Sequence, residues 1–318
     1  MWCKPCSIRA LRATDPSHPS IILHVTVDPT KVPALQTERS AGYSQTVGRR
    51  ILRDKVAVAA AVVVLVLLVL AVFGPWLAPL DPYQSSMLKR LKPIGFAGHP
   101  LGTDELGRDM LTRLIVGTRL SLFMGITPVI CAFFIGSFIG ITAGYTGGWV
   151  NTGLMRTIDV FYAFPSVLLA IALSGALGAG ITNSLISLTI VFIPPIARVA
   201  ESVTTQIRGR DFVDAARASG AGAFTIVRVH VLGNVLGPVF VYATSLIAVA
   251  MILASGLSFL GLGVKPPEPE WGLMLNTLRT AIYTQPWIAA LPGAMIFITS
   301  IAFNLLADGL RSAMEIKQ

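Results

Sequence analysis

Val56 to Phe73 reads VAVAAAVVVLVLLVLAVF, a run without one polar side chain. As a helix it is about 27 Å long at 1.5 Å per residue, close to the hydrocarbon core of a bilayer. Inside lipid every backbone N–H and C=O must find a partner within the protein, which leaves helices and closed barrels. An uncharged run with no period-two alternation is a helix. Five more blocks carry no charge: Ser121–Gly144, Val160–Gly178, Ile181–Ala197, Val239–Val264 and Pro286–Ala307. Pro194 and Pro195 are expected to kink the end of the fourth block. The sequence therefore predicts an all-α polytopic membrane protein with six transmembrane helices. An even count puts both termini on one side.

Hydrophobic residues make up 53% of the 318 and charged ones 13%, about half the charge of a soluble domain. The formal charge of +9 suits basic loops beside a membrane. Basic groups do not interleave with exposed aromatics, so nucleic acid is not an expected partner. Cys3 and Cys6 form a CxxC without a second pair or a nearby His, and Cys131 lies in an apolar block; none of them makes a metal or disulfide framework. His18, His24, His99 and His230 are dispersed and read as surface or interface residues. No metal site, no paired catalytic carboxylates and no nucleophile–base pair is expected. No Asp, Glu, Lys, Arg or His falls inside the six blocks, with Asp159 only at an edge. Proton- and sodium-coupled carriers place such groups near the midplane, so ion coupling within this chain is disfavoured. Small residues instead cluster at Gly136, Ser137, Gly140, Ala143 and Gly144, where helices can approach closely. There is no GxxxxGK[ST] loop, so ATP and magnesium are not expected to bind here.

The longest polar interruption of the second half is Asp211 to Pro238, DFVDAARASGAGAFTIVRVHVLGNVLGP. Asp211 and Asp214 open a short helical pattern, where acidic groups favour a helix N-terminus. Ala215, Ala216 and Ala218 are strong helix formers of little bulk. Ser219 and Gly220 close it, glycine stopping a helix by taking positive φ. Phe224, Ile226, Val227, Val231 and Leu232 then form an apolar stripe, and Gly233, Asn234, Gly237 and Pro238 mark a second break. A small-faced helix of this kind fits a shallow groove of a partner. The same pattern also describes an amphipathic connector on the membrane surface, and the residues alone leave both open.

Asp214-Ala215-Ala216-Arg217-Ala218-Ser219-Gly220 resembles the "EAA" loop of binding-protein-dependent ABC transporter permeases. Three further stretches agree: HPLGTDELGRDMLTRLIVGTRLSL at His99–Leu122, SFLGLGVKPPEPEWGLML at Ser258–Leu275 and AFNLLADGLRSA at Ala302–Ala313. Together they resemble the C-type permease of peptide importers, the DppC/OppC group, from about residue 50 to 318. Two positions depart from the pattern. Asp214 stands for the usual Glu, and Leu232-Gly233-Asn234 for the usual Leu-Pro-Asn.

The resemblance implies a type I ABC importer (MetI-like) permease fold for residues 49–318, with a coupling loop at 198–238. It implies transport of di- or oligopeptides, or of another solute of the family such as nickel. A second homologous permease subunit would complete a heterodimer. Two ABC ATPase subunits, or one fused ATPase, would hold ATP and magnesium and grip Asp211, Asp214, Ala215, Ala216, Ala218, Ser219, Gly220 and Phe224. An extracytoplasmic binding protein would deliver cargo. No cofactor belongs to the chain itself, and it is not an enzyme. A self-contained secondary transporter or channel is the competing reading.

More of the flanking Lys and Arg lie inside if both termini are cytosolic, which predicts a multi-pass protein of the bacterial cytoplasmic membrane. Residues 1–48 hold five prolines and no sustained period and are expected to be a disordered cytosolic tail, with Ile21–Val27 a weak strand candidate. Met110–Leu122, apolar but studded with Arg, is expected to lie along the interface before turning in. Gly74–Arg108 reads as a docking surface or a plain connector, and Trp271 in KPPEPEW as an interfacial anchor.

Overall fold

The computed structural model describes residues 48–314, which are helical with no strand among them. The tail, Cys3, Cys6, His18, His24 and Ile21–Val27 lie outside the described residues. The apolar run becomes α1, Lys55–Leu77, started by Asp54, whose Oδ1 accepts from the N–H groups of Val56 (2.9 Å) and Ala57 (3.2 Å). Such a cap satisfies two of the helix's free donors. Ala57, Ala60, Val64 and Leu67 make its buried stripe, while Val62, Leu65, Val66 and Val69 are exposed. A lipid-facing helix needs no more.

The second block does not begin at Ser121. One 37-residue helix, α2, runs from Met110 to Thr146, about 55 Å at 1.5 Å per residue and so longer than a bilayer core is thick. Met110–Leu122 is its first three turns and no separate interfacial segment. Asp109 caps it, its Oδ2 accepting from Thr112 N at 2.8 Å. Arg113, expected at an interface, is 2% exposed. It lies beside Asp104 (Nε to Oδ2, 3.4 Å) and donates to the carbonyls of Pro82 (2.9 Å) and Pro267 (3.3 Å). A buried guanidinium needs this many acceptors.

The third block is also not one straight helix. It is split between α3, Gly148–Tyr162, and α4, Ser166–Leu177, which bend by 87°. Pro165 is the cause, because it disfavours helical geometry at Phe164 and has no N–H to give. α4 has 12 residues, about 18 Å and too short to cross alone. Among the described residues five helices are long and apolar enough to span, and the bent pair, taken as one broken span, brings the number to six.

α5, Ile181–Arg208, passes through Pro194 and Pro195 and continues well beyond Ala197, so the polar loop starts later than expected. The extension is amphipathic: Ala200 and Thr204 continue a buried face while Ser202, Thr205 and Gln206 are exposed. Gly136, Gly140 and Gly144 line the α2 side of the crossing with α5. A Cβ on Gly144 would come 2.7 Å from Glu201 O, and one on Gly136 3.0 Å from Ile193 O. Spacing of four puts the three on one face, so the two backbones touch. Asp159 of α3 pairs with Arg198 of α5.

The remaining elements are a 3-10 turn, Met87–Lys89; α6, Asp211–Ala218; α7, Ala223–Ile226; a π-helical turn, Val227–Val231; α8, Leu232–Phe259; α9, Trp271–Thr277; a second 3-10 turn, Arg279–Tyr283; and α10, Pro286–Met314. One core gathers Leu188, Ile196, Val213, Ile226, Val239 and Leu257 from α5 to α8. A second gathers Leu67, Leu114, Trp271, Ile288 and Phe303 from α1, α2, α9 and α10.

Candidate functional site

At one end of the bundle, here the loop end, the chain leaves α5 at Gly209 and returns through α6 and α7 into α8. Asp211 and Asp214 sit in the first turn of α6 and Arg217 in its last, matching the helix dipole at both ends. Arg217 Nη1 also donates to Asp214 Oδ1 at 3.1 Å. The helix stops as the sequence implies. Gly220 takes φ +83°, Ala221 N donates back to Ala216 O at 3.0 Å, and Ser219 N reaches Ala215 O at 3.0 Å. This is a left-handed glycine cap.

Burial sorts the predicted residues. Asp211, Asp214, Ala215 and Ala218 are all exposed, and their spacing places them on one face of α6. Ser219, Gly220 and Phe224 are exposed as well, Phe224 at 78%. Ala216 is turned partly inward against the bundle core. The structure thus brings a small, acidic face and a projecting aromatic ring to one surface. Neither is covered by the described residues.

Sequence reading placed Ile226 and Val231 in an apolar stripe but missed Val213 and Val235, which also hold this element in place. Val213 is fully buried, as are Val231 and Val235, and Ile226 is 1% exposed. Val213 was legible only as the one β-branched apolar residue opposite the acidic face. The expected stripe beginning at Phe224 is wrong at its first member. A π-helical turn adds one residue per turn, and after it Val231, Val235 and Val239 follow the core at intervals of four. The expected break at Gly233–Pro238 is also absent, since α8 runs through it from Leu232. Pro238 costs one backbone bond, and the buried neighbours Val235 and Val239 hold the helix across the gap. Asn234 Nδ2 donates to His230 O at 2.7 Å. His230 is half-buried, its ring 6.0 Å from that of Phe212.

The opposite end, the cap end, is built from Gly74–Asp109 and Val264–Trp271. His99, expected at a surface, is 6% exposed, with Nδ1 at 3.0 Å from Asp109 Oδ1. Asp104 accepts from Arg108 Nε at 2.7 Å and from the N–H groups of Leu106 and Arg108. Trp271 is fully buried and no interfacial anchor. Its Nε1 donates to Leu114 O at 3.2 Å, and its backbone N–H to Ser121 Oγ at 3.0 Å. Glu270 caps α9, receiving the N–H groups of Gly272 (2.9 Å) and Leu273 (2.8 Å). Burial pushes its carboxyl above the usual range, against the pull of those two donors. The polar motif residues of the cap are thus spent on the cap's own folding. α5 reaches this end too: Gly180 N (3.1 Å) and Ser184 Oγ (2.9 Å) both donate to Leu262 O.

Comparison with known proteins bears on family and fold. Residues 136–316 match the family described as binding-protein-dependent transport system inner membrane component, and residues 42–93 match the N-terminal TM domain of oligopeptide transport permease C. The glutathione transport system permease proteins GsiD of Pectobacterium atrosepticum and of Escherichia coli O157:H7 are each 41% identical over 269 residues. The match covers 85% of this chain and 89% of each relative. Among solved structures, the inward-facing MetNI methionine ABC transporter has a chain that superposes with a TM-score of 0.53 at 19% identity. It covers 64% of this chain and 97% of that one. At that identity the likeness concerns the fold.

Proposed function

The chain belongs to the binding-protein-dependent transport system inner membrane components, and from that premise we propose that it is the permease subunit of a peptide importer moved by separate ATPases. It is a multi-pass protein of the inner membrane, and its role is transport. Peptides are the cargo class favoured by the likeness to glutathione permeases and to the oligopeptide permease N-terminal domain.

The observation that carries the coupling role is α6 itself. Its acidic, small-residue face is left exposed by the described residues, and its opposite face is pinned by Val213. In the proposed assembly the loop end faces the cytosol and an ATPase cleft receives Asp211, Asp214, Ala215, Ala218 and Ser219. Phe224 inserts beside them, and Ala216 holds α6 to the bundle. ATP and magnesium stay in the ATPase subunits. When these close, α6 moves with them and tilts α5 and α8, to which it is joined at either side. A homologous permease supplies the other half of the pathway, and a binding protein delivers peptide at the cap end. Access then alternates between the two sides of the membrane.

The test uses the assembled complex in liposomes. Gly220→Val disturbs the cap of α6, and Phe224→Asp removes its aromatic knob. Both are expected to lower peptide uptake and peptide-stimulated ATP hydrolysis together, by tenfold or more, about 1.4 kcal/mol of coupling. Normal uptake and hydrolysis in both variants overturns the role of this element.

A further inference from the structure

Toward the cap end, α1 and α2 part around a cavity of about 1040 Å³. Its walls are apolar, with Leu68, Val72 and Trp76 on α1 facing Leu120, Phe123 and Ile126 on α2. Charge is confined to three lining residues, Arg119, Asp81 and Glu268. Among the described residues no carboxylate pairs with Arg119. Asp81 Oδ1 accepts from Tyr83 N (2.8 Å) and Glu268 Oε2 from Tyr83 Oη (2.9 Å). Among the described residues the second oxygen of each carboxylate accepts no hydrogen bond.

Two features identify the occupant. The first is length. The α2 wall from Val116 to Thr127 spans about 16 Å, half of the roughly 30 Å hydrocarbon core and so one leaflet. The volume also lies at or above the top of the range for small-ligand sites, about 300–1,000 Å³. The second is charge. A guanidinium is the preferred partner of a phosphate, and two half-open carboxylates suit an ammonium. Trp76, 78% exposed at the end of α1, is the residue type that marks headgroup depth. We propose that this cavity holds one phospholipid of the cap-end leaflet, with a headgroup carrying both a phosphate and a primary ammonium. Arg119 binds the phosphate, Asp81 and Glu268 the ammonium, and the acyl chains fill the groove between α1 and α2. The lipid is then a wedge in the contact that ties α1 to the bundle.

The complete transporter, with its companion chains, is reconstituted in vesicles of phosphatidylethanolamine and phosphatidylglycerol. Each lipid in turn carries a photoactivatable acyl chain, and adducts are mapped by mass spectrometry. With labelled phosphatidylethanolamine, adducts are expected at Val72, Leu120 and Phe123 well above those at Val62 and Leu65, which are exposed on α1 outside the cavity. Arg119→Gln lowers that excess about tenfold, the loss of one charge-assisted contact. Phe123→Trp fills the groove and removes the excess with the charges left intact. Four results overturn the proposal: labelling of the groove no higher than of Val62 and Leu65; equal labelling by phosphatidylglycerol, which has no ammonium; displacement by added glutathione, which makes it a cargo site; or adducts on the isolated chain that vanish in the complex, which puts a partner helix in the groove.

Discussion

Gly220 and Glu270 show how much one residue decides at each end of the bundle. Gly220 holds φ +83° with no atom within 4 Å of where a Cβ would stand. Substitution there meets no clash and costs only backbone strain, about 1–2 kcal/mol for an L-residue in this region. Gly220→Ala should therefore weaken coupling and Gly220→Asn should weaken it less, since Asn tolerates positive φ. The uptake-to-hydrolysis ratio of the two variants in liposomes checks the order. At Glu270 the sign follows from burial, which raises the folded-state pKa above the unfolded one. The protonated carboxyl is favoured by folding. Its contribution is full below the unfolded value and is lost as pH rises through the folded value. Glu270→Gln keeps a neutral cap, so the wild type should lose thermal stability relative to this variant as pH rises from about 4 toward 8. Melting both purified complexes across that range measures it; parallel curves would contradict the assignment.

The crossing of α2 and α5 is the element whose geometry leaves least room. A Cβ on Gly140 would fall on Ala197 O, one on Gly144 would sit 2.7 Å from Glu201 O, and Gly153 on α3 has nothing within 4 Å. Gly140→Ala and Gly144→Ala should each destabilise by about 1–3 kcal/mol through overpacking. Gly153→Ala should be neutral or gain up to about 1 kcal/mol from helix propensity. Thermal stability in detergent ranks the three. Those glycines were legible in the sequence as a small-residue cluster, because close approach leaves a compositional mark. The length of α5 was not, since polar residues from Arg198 onward end the apolar block while the helix runs on. Its buried Ala200 and Thr204 keep the helical period, a signal hydropathy alone does not carry. The π-helical turn at Val227–Val231 shifts register by one residue and leaves no mark in composition at all. The bend before α4 did leave one, Phe164-Pro165, hidden inside a run that counted as a single span.

At the scale of the molecule, the membrane class and the helical bundle followed from the uncharged runs, because lipid allows so few backbone solutions. The cap was harder to read. Its charged sequence around His99–Arg113 suggests a solvated loop, yet Asp104, Arg108, Asp109 and Arg113 are all buried, Asp104 pairing with Arg108 and Arg113, and Asp109 with His99. Folded geometry decides that: the charge partners are near in sequence, but the carbonyls of Pro82 and Pro267 that receive Arg113 come from far along the chain. The chain supplied alone to liposomes should carry no peptide above background. Uptake should appear only with the companion permease, ATPases, binding protein and ATP together. A flux assay with each component withheld in turn tests this, and transport by the solitary chain would refute the dependence.

α5 is anchored to Leu262 at one extremity and joined to α6 at the other. Were the two extremities to shift as one body, thermodynamic reciprocity would apply between them. Whatever factor nucleotide imposes on the grip of the cargo carrier, the carrier must impose on the grip of nucleotide. Titrating one ligand outside the membrane would then serve as a gauge of an equilibrium on the other side of it.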